Sequence, residues 1–453
     1  MTTHAREQAH ASRWPDYRTV WRWHFYAGLF CIPFVLWLAF TGTLYLFKPQ
    51  IEAWLDAPYD ELSLDGTRAS VFDQVQAAVQ AVPSGRFKSY ELPATPQSAA
   101  RVLVDDGTRS WRVYVHPQTL EVLQRVDDAQ RPMKVISRLH GTLWLGDRGS
   151  NLVELAACWA IVMILSGLYL WWPRGRFRLG GLLWPRLQVR RLLLRDLHAV
   201  TGFWISVLAL FLIFSGLPWA KFWGSSLKSL RELGSSSEVR LDWTLGGKPV
   251  VADEHAHHQG HHHHVEPVAS NAADYERVVA SVRALSLAAP VIITPPTQDA
   301  LWSARSDAQN RPLRVTLQVD GDTGAIVNRQ DFAQRALIDR IVGVGIAAHE
   351  GQLFGWINQL LGTLTTVGLM LLCVSAAMMW WKRRPGGTLG APLPPRMPEG
   401  QPRYALLFFA LVIALGVLLP LMGLSLLLVL AIERGVLRRL PAARHFLGLQ
   451  PAA

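Results

Sequence analysis

Four histidines stand at the edges of long apolar runs, at His24, His140, His198 and His349. An ionisable group at such a place is rare without a use. Their spacing is paired. His24 precedes Thr41-Gly42 by 17 residues, and His198 precedes Ser215-Gly216 by the same 17. His140 precedes Ser166 by 26 residues, and His349 precedes Ser375 by 26. Each of those serines is followed by a Trp pair, in SGLYLWWPR at 166–174 and SAAMMWWKR at 375–383. The residues after the histidines also match, HFYAG with HAVTG and HGTLWLG with HEGQLFG.

A neutral imidazole nitrogen is a good metal ligand, and two of them fill both axial positions of a haem iron. The pattern predicts His24 opposite His198 near the inner face of a membrane, and His140 opposite His349 near the outer face. Gly28, Gly141, Gly202 and Gly351 lie close by, where glycine suits either a flat macrocycle or tight helix packing. Arg22, Arg138 and Arg195 lie within three residues of the histidines. They suit pairing with haem propionates, or ordinary anchoring at the interface. The competing reading makes the histidines interfacial groups bonded to headgroups or carbonyls. No Cys or Asp recurs beside them to complete tetrahedral zinc. Glu154, near the outer end of the second span, reads as a solvated interfacial carboxylate, with a role in supporting the site or handling protons as the alternative. Cys31, Cys158 and Cys373 fall inside apolar runs, as packing residues rather than a disulfide framework.

The elements that position these residues follow from hydropathy. Half of the 453 residues are hydrophobic and only 17% are charged. Runs of about 20 apolar residues are long enough to span a bilayer. The net charge of +11 sits mostly in short arginine-rich segments beside those runs, which argues for cytoplasmic loops and against a nucleic-acid surface. The expected order is a cytoplasmic 1–23, a first span at 24–47 and an outer domain at 48–138. An outer histidine segment with the second span follows at 139–172, then a basic loop at 173–197 and a third span at 198–219. A second outer domain occupies 220–345, followed by a histidine segment and fourth span at 346–381 and a linker at 382–403. A hairpin of two short helices at 404–434, broken at PLMG (420–423), precedes a cytoplasmic tail at 435–453. The fold class is a membrane all-α bundle of about six transmembrane helices, with a parallel internal duplication and two α+β outer domains. Each domain reads as a helix, at 71–82 and 274–285, followed by short alternating strands that end in a hairpin.

The second outer domain carries an insertion, HAHHQGHHHH at 255–264. Its His255, His257, His258, His261, His262, His263 and His264 suit an accessory divalent metal. His116 sits in a strand turn and reads as structural.

WRWHFYAGLFCIPFVLWLAFTGTLYLFKPQIE and LHGTLWLGDRGSNLVELAACWAIVMILSGLYLWWPR resemble the PepSY-associated transmembrane family of bacterial inner membranes. VTLQVDGDTGAIVNRQ resembles the terminal hairpin of the PepSY module. VYVHPQTLEVLQRV is a degenerate copy, with His116 at the usual acidic position and no Gly in the turn. The resemblance covers roughly 18–384. It implies an inner-membrane protein with periplasmic PepSY-like domains and two haem b groups, acting as a ferric-siderophore reductase. The expected partners are a ferric-siderophore or other ferric chelate, membrane lipid, and a cytoplasmic reductase or quinol as electron donor; nucleic acid is not among them. Two other readings stand beside it: a metal transporter or sensor using the histidine tract, and a peptide-binding or protease-regulating membrane protein.

Overall fold

The computed structural model describes residues 17–173, 179–234, 271–296, 301–384, 386, 388–390 and 405–447. The histidine tract at 255–264 lies outside them. In chain order, α1 (Tyr17–Leu46) leads into α2 (Lys48–Asp60) and α3 (Val71–Gln80). Strands β1 (Arg86–Glu91), β2 (Ala100–Asp105), β3 (Ser110–Val115) and β4 (Val122–Asp127) precede α4 (Pro132–Thr142) and α5 (Gly146–Trp171). The same order then recurs. It comprises α6 (Leu193–Gly216), α7 (Lys221–Gly234), α8 (Ala272–Ala284), β5 (Val291–Thr294), β6 (Leu301–Ser306), β7 (Val315–Asp320), β8 (Ile326–Asp331), α9 (Leu337–His349) and α10 (Trp356–Arg383). The chain continues with α11 (Ala405–Leu418), α12 (Pro420–Ile432) and α13 (Pro441–Leu447).

Among the described residues, five helical segments are long and apolar enough to cross a membrane: Val20–Leu46, Gly146–Trp171, Leu193–Trp219, Trp356–Arg383 and Pro420–Leu437. The first four close into a ring, in which α1 packs on α5 and α10, and α6 packs on the same two helices. The expected break at PLMG is present, with Leu419 between α11 and α12. A Cβ on Gly423 would fall 2.4 Å from the Gly416 carbonyl oxygen, so only glycine lets the two arms approach this closely. Leu415, Leu419 and Met422 of this hairpin pack beside Cys158, Ile161 and Val162 of α5. All three cysteines are buried and unbridged.

Outside the bundle, the two expected domains are one. The strands form a single antiparallel sheet in the order β4-β3-β2-β1-β5-β6-β7-β8, with Tyr90 opposite Ile293 and Glu91 opposite Ile292 at the junction. Two separate modules would each expose an edge there, and pairing removes both. One apolar core joins Val75, Tyr90, Val102 and Val113 of the first half to Val278, Ile293, Trp302 and Leu317 of the second, under α3 and α8. The two terminal hairpins solve one turn in two ways. Gly324 takes φ +71° in the second, while Leu120 takes φ +60° at the equivalent place in the first. Asp320 accepts from the Thr323 amide, and the His116 imidazole accepts from the Gln118 and Thr119 amides instead.

The opposite face of the first half carries charge where α2 covers it. Arg112 pairs with Glu91 at 2.6 Å and Arg101 with Asp60 at 2.7 Å, and Arg101 reaches Glu91 at 3.4 Å. Glu91 is thus the carboxylate shared by two buried guanidinium groups. Removing one partner of a buried ion pair costs about 3 kcal/mol or more. Glu91→Ala is therefore expected to destabilise the sheet by roughly that amount. Denaturant unfolding followed by fluorescence checks this, and an unchanged midpoint refutes it.

Candidate cofactor site

The four histidines are held by one repeated device. His24 on α1 places Nδ1 3.0 Å from the Met163 carbonyl oxygen and 3.0 Å from Ser166 Oγ, both on α5. His198 on α6 places Nδ1 3.1 Å from the Leu372 carbonyl oxygen and 3.2 Å from Ser375 Oγ, both on α10. His140 on α4 places Nδ1 2.9 Å from Thr41 Oγ1 on α1, whose oxygen lies 3.4 Å from the Leu38 carbonyl. His349 on α9 places Nδ1 2.9 Å from Ser215 Oγ on α6, whose oxygen lies 3.3 Å from the Leu212 carbonyl. In every case the carbonyl lies three residues before the hydroxyl.

This fixes the tautomer. A carbonyl only accepts, so Nδ1 of His24 and of His198 carries the proton. The Thr41 hydroxyl donates to the Trp37 carbonyl at 2.8 Å, and the Ser215 hydroxyl to the Phe211 carbonyl at 2.6 Å. Ser166 and Ser375 donate to the Met163 and Leu372 carbonyls. All four hydroxyls are then acceptors for an imidazole N–H, and each histidine keeps a lone pair on Nε2. A small residue follows each hydroxyl. A Cβ on Gly167, Gly42 or Gly216 would come within 3.1, 3.2 or 3.3 Å of Cε1 of His24, His140 or His349. The fourth position holds Ala376.

The device arranges the histidines in two pairs. The rings of His24 and His198 lie edge to face, with centroids 6.3 Å apart and planes at 82°. His140 and His349 are close enough for their charges to interact, and Trp219 stands 5.7 Å from the His349 ring. His24 and Thr41 share α1, 17 residues apart, which is about 25 Å of helix rise. The spacing of 17 is therefore the distance between the two pairs. Sequence alone presents Thr41, Ser166, Ser215 and Ser375 as markers of register; their contacts make them partners of the histidines.

The residues match the family described as the PepSY-associated TM region over 21–383. The chain belongs to this family. No curated protein matches it. In this PepSY-associated TM chain, the chemistry of the two pairs limits what they can hold. Among the described residues no cluster of three or more His, Cys, Asp and Glu side chains is placed to bind a metal ion. Two imidazoles alone suit a metal whose other ligands come from a macrocycle. The 6.3 Å between the His24 and His198 ring centroids is about what one metal atom bound to both rings would need, with metal–nitrogen bonds of about 2.1 Å. An Nδ1–H bonded to a carbonyl is the usual support of a metal-bound histidine.

The three arginines differ. Arg138 stacks on Trp144 at 4.2 Å and donates to the Ala129 carbonyl, and its Nε is buried without a partner. That orphan donor, two residues from His140, fits an anionic group. The Arg195 side chain is 56% exposed and lies 3.7 Å from Asp196, so it fits interfacial anchoring better. Arg22 is half-buried. Gly28 and Gly202 face Met163 and Leu372 at ordinary contact distance, whereas Gly351 is required by φ +75°.

The outer histidine segment and the second span, placed together at 139–172, are two helices, α4 and α5. Leu143 and Trp144 take positive φ, so α4 is a separate short helix, tied to α1 by Trp37 donating to the Leu139 carbonyl at 3.0 Å. Glu154 is buried rather than solvated. Its carboxylate accepts from the Phe222 and Trp223 amides at 3.0 and 3.3 Å, and so caps the start of α7. Glu350, next to His349, is also buried, and pairs at 3.7 Å with Arg311 from the sheet.

Capping residues contribute about 1 kcal/mol. Glu154→Ala should speed amide exchange in the first turn of α7 by roughly fivefold or more. Glu154→Gln, which keeps an acceptor, should have a smaller effect. Hydrogen-exchange mass spectrometry reads both, and equal protection in all three proteins refutes the capping role.

Proposed function

We propose that this protein carries electrons across the bacterial inner membrane to ferric iron in the periplasm, held by a siderophore or another chelator. On this reading two haem b groups are bound, one by His24 and His198 and the other by His140 and His349. The observation that supports it most is the fourfold support of Nδ1, which leaves Nε2 of each histidine with a lone pair. Haem, when bound, supplies an iron that exchanges single electrons at a potential set by its ligands and surroundings.

The chain's own residues do the rest. Two histidines per site would hold each haem from the protein, an arrangement that would favour electron transfer over oxygen binding. The serine and threonine hydroxyls and their carbonyls hold the rings in one tautomer and one orientation, so little rearrangement accompanies a change of charge. Arg138 Nε is the group best placed to receive a propionate. Sites separated by about 25 Å along α1 suit the two sides of a hydrocarbon core about 30 Å thick.

The recurring element order and recurring histidine contacts support a parallel duplication, with the arginine-rich loops in the cytoplasm and the sheet, as two fused PepSY-like halves, in the periplasm. Counting α11 as a short span gives six and returns the chain to the cytoplasm. Electrons enter from a cytoplasmic reductase or a membrane quinol at the His24–His198 end and leave from the His140–His349 end, one for each Fe³⁺ reduced to Fe²⁺. The histidine tract at 255–264 serves as an accessory divalent-metal collector. Transport of a metal through the bundle is less well supported, because the histidines are engaged with helix neighbours in pairs.

Purified protein from haem-replete cells should show a low-spin haem spectrum. His24→Ala and His349→Ala should each remove about half of the haem. Ser166→Ala should keep the haem but raise one midpoint potential by on the order of tens of millivolts, because the imidazole becomes a weaker donor. Deleting 255–264 should leave the spectrum unchanged. Colourless protein overturns the proposal.

A further inference from the structure

The sheet carries a cleft on the face away from α2, at the seam between the two halves of the chain. It has a volume of about 400 Å³ and is lined by Arg68, Gln74 and Tyr90 from the first half and Glu276, Val279 and Arg283 from the second, among others. That volume lies within the range of small-molecule sites. Its floor is a fixed polar chain. The Tyr90 hydroxyl donates to Gln74 Oε1 at 3.1 Å, and Gln74 Nε2 donates to the Ala69 carbonyl at 2.8 Å. Tyr90 and Gln74 are buried, and burial pushes the Tyr90 phenol up to about 12, so it adds no negative charge to the cleft.

Charge is what the cleft leaves unbalanced. The Arg68 and Arg283 guanidinium groups come from different halves, yet line the same cleft. Among the lining residues Glu276 alone is acidic, and its carboxylate already accepts from the Val71 amide at the start of α3. Arg68 also braces the loop before β2 through the Pro96 and Ser98 carbonyls. That bracing explains Arg68. It does not explain a second guanidinium brought toward it by α8. Val71, Val279 and Ala280 give the walls an apolar part, which suits a carbon framework better than a bare inorganic ion.

We propose that this cleft binds a small organic acid, with one carboxylate received by the Arg283 fork and the fixed charge of Arg68 attracting the acid from the other side. Planar guanidinium groups bind carboxylates in bidentate fashion, and each half of the sheet supplies one positive charge. This is a site apart from the histidine pairs. Its test uses an iron-free ligand, so it stands or falls separately from the redox reading.

The test is calorimetric titration of the full chain in detergent with citrate, alongside inorganic phosphate. Arg283 is exposed on the last turn of α8, so Arg283→Ala should fold normally. It should weaken citrate binding by about tenfold or more, as loss of a charge-assisted contact implies. Arg277→Ala, which removes an arginine paired with Asp274 on the same helix, should leave the affinity unchanged. Tyr90→Phe should weaken binding less than Arg283→Ala, by loosening Gln74 in the floor of the cleft. Absence of citrate binding, equal binding by Arg283→Ala, or phosphate binding as tightly as citrate would each overturn the proposal.

Discussion

Inside a bilayer an imidazole N–H needs an acceptor, because water is not there to supply one. That requirement shapes the helix bundle. Each of the four histidines meets it on a neighbouring helix, at a hydroxyl three residues after a carbonyl. The hydroxyl's own proton is engaged by its own helix, so the imidazole must donate. The same contact therefore fixes a tautomer, fixes a ring orientation and ties two helices together. Closure of the bundle and construction of the histidine pairs are one set of interactions.

The sheet extends this economy outside the bundle. Pairing β1 with β5 hides two edges and merges two small cores into one. The charged face under α2 holds the first half to its helix, and the Arg311–Glu350 pair brings the second half down to the residue beside His349. The halves are alike in order but not in chemistry. Arg101 and Arg112 make the first half's lower face an ion-pair network, whereas Ser303 and Thr316 occupy the corresponding strand positions of the second.

Much of this was legible in the residues. Helices near 71–82 and 274–285 appear as α3 and α8, and the alternating run after Pro312 is the β7–β8 hairpin. The break at PLMG follows from Pro420, which starts a helix easily and interrupts one readily. Less visible were α2 and α7. Both are polar or mixed in composition and begin where the apolar pattern stops, so hydropathy ends the element before the chain does. Glu154 was misread for a related reason. Its acceptors' partners, the Phe222 and Trp223 amides, lie 68 and 69 residues away, and no local pattern announces a helix start arriving from so far.

The sequence by itself determined the apolar spans, the four histidines, and the equal spacings that pair them with Thr41, Ser166, Ser215 and Ser375, because side-chain chemistry and helical period are local properties. Tertiary structure decided which hydroxyl serves which histidine. His24 is bound to Ser166 rather than to Thr41 on its own helix, since 17 residues of helix carry Thr41 to the other end of the bundle. It also decided that two outer halves make one sheet, because edge pairing depends on where the bundle holds the strands and not on the strands alone.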